Sequence, residues 1–208
     1  MITLCWGAKG GSGVTTVAAA LALSRRRPTV LLDLDGDAAL AIGLGDDGGP
    51  TLDDWFESDA SADRVMRLAR HVRGDVQLVP SRRRIDRAHG RWGDLARAAA
   101  AIGHDVVVDA GTGPPPSTFQ AIADVSLLVI RPCYLALTRA QRSSARPHGV
   151  VLVDEPGRAL RPDDISAALG APVVAVVSYD PKIARAVDSG LAVSRLPATC
   201  IRQLRNAA

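Results

Sequence analysis

The stretch that decides the fold is Ile2-Thr3-Leu4-Cys5-Trp6-Gly7-Ala8-Lys9-Gly10-Gly11-Ser12-Gly13-Val14-Thr15-Thr16. Its apolar first part predicts a buried strand, and the alanine-rich segment that follows predicts a helix over residues 15–24. The glycines between them allow backbone N–H groups to converge, and the helix directs its positive end at the same place. The Thr15 hydroxyl then lies where Mg²⁺ bridging bound phosphates would be held. The stretch therefore predicts a phosphate-binding loop.

The rest of the chain alternates short apolar runs with segments of helical spacing. Runs that are almost continuously apolar are typical of parallel strands covered on both faces. We therefore predict one α/β domain over residues 1–208, with a doubly wound, mostly parallel sheet of about seven strands and helices on both faces. The predicted strands are residues 2–6, 29–32, 76–79, 106–108, 125–130, 150–153 and 173–177, and the predicted helices are 15–24, 61–72, 92–102, 135–144, 162–169 and 181–188.

Composition excludes several classes of protein. Of the 208 residues, 47% are hydrophobic and 23% are charged, and the net charge is only +3, so disorder is not expected. No apolar run reaches the roughly 18 residues that span a bilayer, and residues 1–6 lack the basic start of a secretion signal. Three widely spaced cysteines favour a reducing compartment over a disulfide framework or a zinc site. We expect a cytoplasmic protein without integral membrane association.

Charge is distributed unevenly along the chain. Residues 33–60 hold nine acids and no Lys or Arg, whereas residues 61–104 hold ten Arg against four Asp. The helix predicted over residues 61–72 would carry arginines on one face. Either this face is solvated, or it joins the arginines of residues 82–91 in a patch that contacts an anionic surface such as DNA. Since no aromatic residues alternate with these arginines, base stacking and sequence-specific nucleic-acid recognition are not indicated.

Residues 9–16 resemble the deviant Walker A motif, K-G-G-x-G-K-T-T, of the ParA/MinD family of P-loop ATPases. The resemblance implies that the loop binds ATP or another NTP with Mg²⁺, and that Lys9 reaches the partner's phosphates in a nucleotide-dependent homodimer. The second lysine of the motif, which contacts the β- and γ-phosphates, is replaced by Val14. Because a charge-assisted hydrogen bond is worth roughly 1.5–3 kcal/mol, we expect weaker nucleotide binding and depressed hydrolysis. The loop residues implied to bind nucleotide are Gly10, Gly11, Ser12, Gly13, Val14, Thr15 and Thr16.

Two aspartates at strand ends extend the resemblance. Asp35 matches the second aspartate of the family's D-x-D segment, which orients or activates the attacking water. Asp109 ends an apolar run and resembles the Walker B aspartate, which reaches the magnesium shell. The resemblance thus implies catalytic roles for Lys9 and Asp35 and a metal site at Thr15 and Asp109. A plain turn over residues 35–37 is the structural alternative.

Two residues towards the C-terminus are implied to lie at the base pocket. Pro181 belongs to the loop that walls this pocket in the family, and Asp154 takes the place of an asparagine that hydrogen-bonds adenine. A carboxylate only accepts hydrogen bonds, so Asp154 cannot pair with both edges of adenine, but it can accept from the ring N–H and the amino group of guanine. A guanine preference and a lost base contact both remain open.

Three functions are compatible with these features. The first is a ParA/MinD-type ATPase that dimerises around nucleotide and, with an adaptor, positions a cargo such as DNA or a cellular assembly. The second is a degenerate, non-hydrolysing scaffold similar to the CpaE/TadZ-like pilus-assembly branch, in which Walker motifs are often imperfect. The third is a small-molecule ligase of the dethiobiotin synthetase kind, against which the presence of Lys9 argues. We favour a nucleotide-binding spatial regulator with weak or absent hydrolysis.

Overall fold

A central sheet with helices on both faces forms the protein in the computed structural model, which describes residues 1–45, 48–205 and 207. The strands are β1 (Ile2–Gly7), β2 (Thr29–Asp33), β3 (Arg70–Arg73), β4 (Val76–Val79), β5 (Asp105–Thr112), β6 (Val125–Ile130), β7 (Gly149–Asp154) and β8 (Val173–Ser178). The helices are α1 (Val14–Ser24), α2 (Ala38–Ile42), α3 (Leu52–Phe56), α4 (Trp92–Ala100), α5 (Ser117–Ile122), α6 (Tyr134–Gln141), α7 (Pro162–Leu169), α8 (Pro181–Asp188), α9 (Ala192–Arg195) and α10 (Ala198–Leu204), and Ala62–Leu68 is a 3₁₀ helix. Among the described residues, no helix combines the length and the apolar character required to cross a bilayer.

Strand β1 shows why helices are needed on both faces of the sheet, because all six of its residues are buried. Leu4 and Trp6 enter an apolar cluster that includes side chains of α3 to α7. Cys5, whose side chain points to the opposite face, enters a second cluster with side chains of α1, α2, α9 and α10. The strand order is β3-β4-β2-β5-β1-β6-β7-β8, and only the β3–β4 pair is antiparallel. The doubly wound, mostly parallel fold is confirmed.

All seven predicted strands are present, and β3 is an additional strand at the edge of the sheet. The helix predicted over residues 61–72 is wrong, since the 3₁₀ helix ends at Leu68 and β3 begins at Arg70. A turn at Gly74, where φ is +55°, lets β3 pair with β4 as a hairpin. The ladder hydrogen bonds of that hairpin override the helical spacing of the arginines. These arginines therefore do not share one helix face.

The strand order also locates the site. Strand β1 lies between β5 and β6, so the direction in which strands are added to the sheet reverses at β1. In open α/β sheets, ligands bind at such a reversal, outside the carboxyl ends of the strands. The loops that follow β1 and β2 meet the last part of β5 at this edge of the sheet, and Lys9, Asp35 and Asp109 lie there.

Candidate functional site

Residues 8–13 form the loop between β1 and α1. Gly11 and Gly13 have φ values of +76° and +90°, a conformation that a Cβ atom disfavours. Ser12 closes the loop, because its hydroxyl donates a hydrogen bond of 2.7 Å to the carbonyl oxygen of Lys9. The N-cap residue, Gly13, has no side chain that could cap the helix, and the first turn of α1 holds no acidic residue. The positive end of α1 is therefore left uncompensated by its own cap and first turn, which suits it to an anion.

Val14, the first residue of α1, packs beneath this loop and not into it. Its side chain is only 6% exposed and belongs to the apolar cluster that contains Cys5 and Val129. It also lies close to Gly7, where an added Cβ would be 2.7 Å from the Val14 Cγ2 atom. The position at which the resemblance places a lysine thus stabilises the loop through apolar contacts and contributes no charge.

Two buried aspartates lie side by side, Asp33 as the last residue of β2 and Asp109 inside β5, which continues to Thr112. Asp33 and Asp109 are register partners, and neither is exposed to solvent. The carboxylate of Asp33 is satisfied by three backbone N–H groups of residues 35–38, so it shapes the loop after β2. Asp109 is only partly satisfied: Oδ1 accepts a hydrogen bond of 3.0 Å from Gly111, whereas Oδ2 is buried and has no partner.

Burial dominates the electrostatics of this pair. Desolvation, followed by the charge of Asp33, raises the pKa of Asp109 from its ordinary 3.8 to about 8, although the nearby Thr15 hydroxyl and the N–H of Gly111 lower it. Desolvation likewise raises the pKa of Asp33 to about 6, against the lowering effect of its backbone hydrogen bonds. Two carboxylates in one dry site resist ionising together. A cation beside Asp109 would therefore be strongly favoured.

Asp35 lies against the last part of β5. Gly111 has a φ of +63°, and a Cβ there would overlap the carboxyl group of Asp35, so a larger residue would force that carboxyl group to move. Arg84, which lies after β4, donates a hydrogen bond of 2.5 Å from Nε to Oδ1 of Asp35. The residue predicted to orient a water molecule therefore carries an arginine partner in this structure.

Of the other predicted residues, one lies in the phosphate-binding loop and two lie after strands β7 and β8 or at their ends. Lys9 lies in the loop and is half-buried. Asp154 is the exposed last residue of β7, and the preceding Val153 is near the loop, since a Cβ at Gly13 would be 3.9 Å from its Cγ2 atom. Pro181 begins α8, after β8, and is exposed. The structure thus brings residues 9–16 together with Asp35 and Asp109. Asp154 and Pro181 lie towards the edge of the sheet that β7 and β8 form.

Three arginines that follow β4 pair with acids that precede them in the sequence, and two more bind backbone carbonyl oxygens. The opposite balances of residues 33–60 and 61–104 were the signal for this pairing, but they do not reveal which residues meet. Because these guanidinium groups contact groups of the same chain, part of their charge is balanced within the protein, and the DNA contact stays a prediction. The contacts are Arg82 with Asp54 (2.9 Å), Arg83 with Glu57 (3.5 Å), Arg84 with Asp35, Arg87 with the carbonyl oxygen of Ala110, and Arg91 with the carbonyl oxygens of Trp55, Ser58 and Ala60.

The groups around Asp109 fit a magnesium ion that is shared with phosphates. The Oδ2 atom of Asp109 needs a partner, and the Thr15 hydroxyl is close enough to lower the pKa of this carboxyl. Across residues 1–45, 48–205 and 207, no three His, Cys, Asp or Glu side chains group as a metal site. The described residues therefore do not form a metal site made only of protein side chains. Mg²⁺ in phosphate sites needs none, since it typically binds one or two protein groups, waters and the phosphates.

Solved structures of MinD and ParA-family ATPases share this fold. The septum site-determining protein MinD from Pyrococcus horikoshii OT3, complexed with Mg-ADP, is 20% identical, with a TM-score of 0.78 over 99% of this chain and 93% of that chain. The MinC:MinD cell division protein complex of Aquifex aeolicus gives 20% identity and a TM-score of 0.79 over 99% and 94%. A ParA family ATPase from Chlorobium tepidum TLS gives 18% and 0.75 over 99% and 97%. No protein-family model and no curated protein matches the sequence, so what the chain shares with these ATPases is their fold.

Proposed function

We propose that this protein is a ParA/MinD-like nucleotide-binding protein that dimerises around ATP and Mg²⁺ and regulates the position of DNA or of a cellular assembly. The observation that carries the proposal is the unpartnered Oδ2 atom of Asp109, buried near Thr15 at the phosphate-binding loop. A buried carboxylate oxygen without a partner is costly unless a ligand completes it. In this proposal, residues 1–208 form one P-loop domain.

Each residue is suited to the role that we assign to it. The N–H groups of residues 10–16 and the positive end of α1 bind the phosphates. Thr15 and Asp109 would hold Mg²⁺, which supplies charge neutralisation at the phosphates when it is bound. Lys9 extends from the loop to the nucleotide of the partner subunit, and Asp35 orients the attacking water.

We further propose that hydrolysis is weak or absent, for two reasons. Val14 is buried in the core and supplies no positive charge to the phosphates, where charge develops during phosphoryl transfer. In addition, the carboxylate of Asp35 is held by Arg84 and is only 15% exposed. A water-orienting carboxylate that is already paired is a poorer acceptor for a water proton.

The proposed partners follow from the same mode of action. We propose a second copy of the chain, bound when nucleotide is bound, and an adaptor or cargo protein, as in the MinC:MinD complex to which the fold is similar. Non-specific DNA contact through exposed arginines and a cytoplasmic location belong to this proposal as well. A DNA-binding titration over a salt series tests the first, because phosphate contacts weaken steeply as salt rises.

The test of nucleotide binding is isothermal titration of the protein with ATP and with GTP in the presence of Mg²⁺. We expect saturable binding that is lost in Thr15→Ala and is unchanged in Thr138→Ala, which removes a hydroxyl on α6 that donates to the carbonyl oxygen of Tyr134. Tighter binding of GTP would support recognition of guanine by Asp154, and equal or tighter binding of ATP would overturn it. No saturable heat with either nucleotide would overturn the proposed function.

A scaffold that binds a partner without turnover, similar to CpaE/TadZ proteins, is the second candidate. The observation that favours it is the apolar packing of Val14, which keeps the loop folded without phosphate. Gel filtration distinguishes the two functions. Dimerisation that requires ATP and Mg²⁺ supports the positioning ATPase, whereas a monomer or constitutive dimer that is indifferent to nucleotide supports the scaffold.

A further inference from the structure

The segment between β4 and α4 passes over the edge of the sheet at which the candidate site lies. Ile85 anchors this segment, because its side chain is buried in the core and its N–H donates a hydrogen bond of 3.2 Å to the carbonyl oxygen of Leu34. Gly36 permits a close approach, since a Cβ there would be 2.7 Å from the Cα atom of Arg83. The segment is therefore a fixed wall of the site.

Two arginines of this wall contact residues at this edge of the sheet. Arg84 binds Asp35, whose carboxyl group lies on Gly111. Arg87 donates from Nη2 to the carbonyl oxygen of Ala110, while its Nη1 atom is buried and has no hydrogen-bond partner. The guanidinium group of Arg84 thus binds the residue predicted to orient water. That of Arg87 has a buried N–H donor without a partner near Ala110 of β5.

We propose that Arg84 and Arg87 bind the terminal phosphate of a nucleoside triphosphate within their own subunit, in place of the lysine that Val14 replaces. This inference rests on the proposed nucleotide-binding function and deepens it, because it names the residues that select a triphosphate over a diphosphate. Arginine suits the task, since its planar fork donates parallel hydrogen bonds to phosphate oxygens and stays charged.

The charges around the two guanidinium groups favour this arrangement. Asp35 and Asp109 already place two carboxyl groups at this edge, and a terminal phosphate adds further negative charge. Burial, followed by the nearby charge of Arg84, lowers the pKa of Arg87, while both aspartates act in the opposite direction. An anion that binds both guanidinium groups relieves their mutual repulsion and satisfies the unused Nη1 donor of Arg87.

Other arginines of the same segment provide matched controls. The side chain of Arg83 is 66% exposed and turns to Glu57, and that of Arg82 turns to Asp54, away from Asp35. Substitution of Arg83 removes the same charge from the same segment without touching the proposed phosphate contacts. If only the Arg84→Ala and Arg87→Ala variants lose affinity for the triphosphate, the loss therefore depends on where these arginines lie and not on the net charge of the segment.

The experiment is isothermal titration of ATPγS and ADP, each with Mg²⁺, into the wild-type protein and its Arg84→Ala, Arg87→Ala and Arg83→Ala variants. We expect Arg84→Ala and Arg87→Ala to lose at least about tenfold in the ATPγS to ADP affinity ratio, as expected for one charge-assisted hydrogen bond. Arg83→Ala should keep the wild-type ratio. Because Arg84→Ala leaves Asp35 unpaired, the double variant Arg84→Ala/Asp35→Asn tests whether the loss remains when that repulsion is removed.

The outcomes separate this inference from the function on which it rests. Wild-type protein that binds neither nucleotide overturns the proposed function. Wild-type protein that binds ATPγS, with an unchanged ratio in folded Arg84→Ala and Arg87→Ala variants, overturns the inference alone. Should Arg87→Ala not fold, the Arg84→Ala/Asp35→Asn ratio decides. Recovery of the ratio when Val14→Lys is added to that double variant would further support the inference, because lysine supplies the same charge from the loop.

Discussion

The proposed metal end and the proposed phosphate end of the candidate site differ in how they are built. At the metal end, Thr15 and Asp109 lie together in a buried site with an unsatisfied carboxylate oxygen. At the phosphate end, the glycines keep their left-handed conformations, but Val14 packs into the core. The difference shows that the loop can keep its shape without a positively charged side chain at position 14. Backbone geometry and apolar packing build the loop, and groups other than Val14 would have to balance the charge of a bound phosphate.

Removing Lys9 should break the phosphate end most completely. We expect Lys9→Ala to abolish ATP-dependent dimerisation, because this lysine is proposed to reach the nucleotide of the partner subunit. Gel filtration with ATP and Mg²⁺ measures the effect. Lys182→Ala is the matched control, since Lys182 is the only other lysine of the chain and lies exposed on α8. An ATP-dependent dimer that survives Lys9→Ala would contradict the assignment.

Restoring the missing lysine should sharpen the comparison. We expect Val14→Lys to tighten ATP binding roughly 10- to 100-fold and to raise ATPase activity, since one charge-assisted hydrogen bond contributes about 1.5–3 kcal/mol. Titration and a phosphate-release assay measure these effects. Val14→Met extends the side chain without charge and should show neither gain. A folded, nucleotide-bound Val14→Lys protein without higher activity would count against the proposed cause of weak hydrolysis.

The raised pKa of Asp109 should make the free energy of unfolding depend on pH. The pKa of Asp109 is raised to about 8 in the folded protein, so between about pH 4 and 8 the folded state holds a proton that the unfolded state has lost. The free energy of unfolding of the metal-free protein should therefore fall as pH rises through this window, by at least about 2 kcal/mol. Chemical denaturation of wild type and Asp109→Asn isolates the contribution of this group. Equal slopes in the two proteins would refute it.

The contact between Asp35 and Gly111 should show the smallest effect. Gly111→Ala forces a Cβ into the Asp35 carboxyl group, whereas Gly170→Ala meets open space at almost the same φ, +62° against +63°. The backbone strain is therefore similar in the two variants, and Gly111→Ala should unfold more easily by about 1 kcal/mol beyond Gly170→Ala because of overpacking. Thermal unfolding compares the two variants. Equal stabilities would mean that Asp35 moves away without cost.

Much of the fold was predictable because local and global signals agree there. The apolar run of β1 and the glycines after it specify a strand, a loop and a helix independently of the rest of the chain. The region of residues 61–73 was not predictable, since arginines spaced by three residues mimic a helix, and the pairing of β3 with β4 is decided by the hairpin.

The candidate site was predictable in its loop and acids, but not in its arginines. Lys9, Thr15 and Asp35 come shortly after β1 and β2, and Asp109 lies in the second half of β5, so the fold itself brings them together. The contact of Arg84 with Asp35 joins residues 49 positions apart, and no periodicity encodes it. Similarly, the sequence shows that Val14 is apolar, but only the packing shows that it belongs to the core.

The most direct test of the central claim is a crystal structure of the protein grown with a non-hydrolysable ATP analogue and Mg²⁺. We predict phosphates bound by the N–H groups of residues 10–16 and Mg²⁺ at Thr15 and Asp109, with Val14 still packed beneath the loop. A loop that stays empty at saturating analogue, or that is filled by the protein's own side chains, would contradict the account.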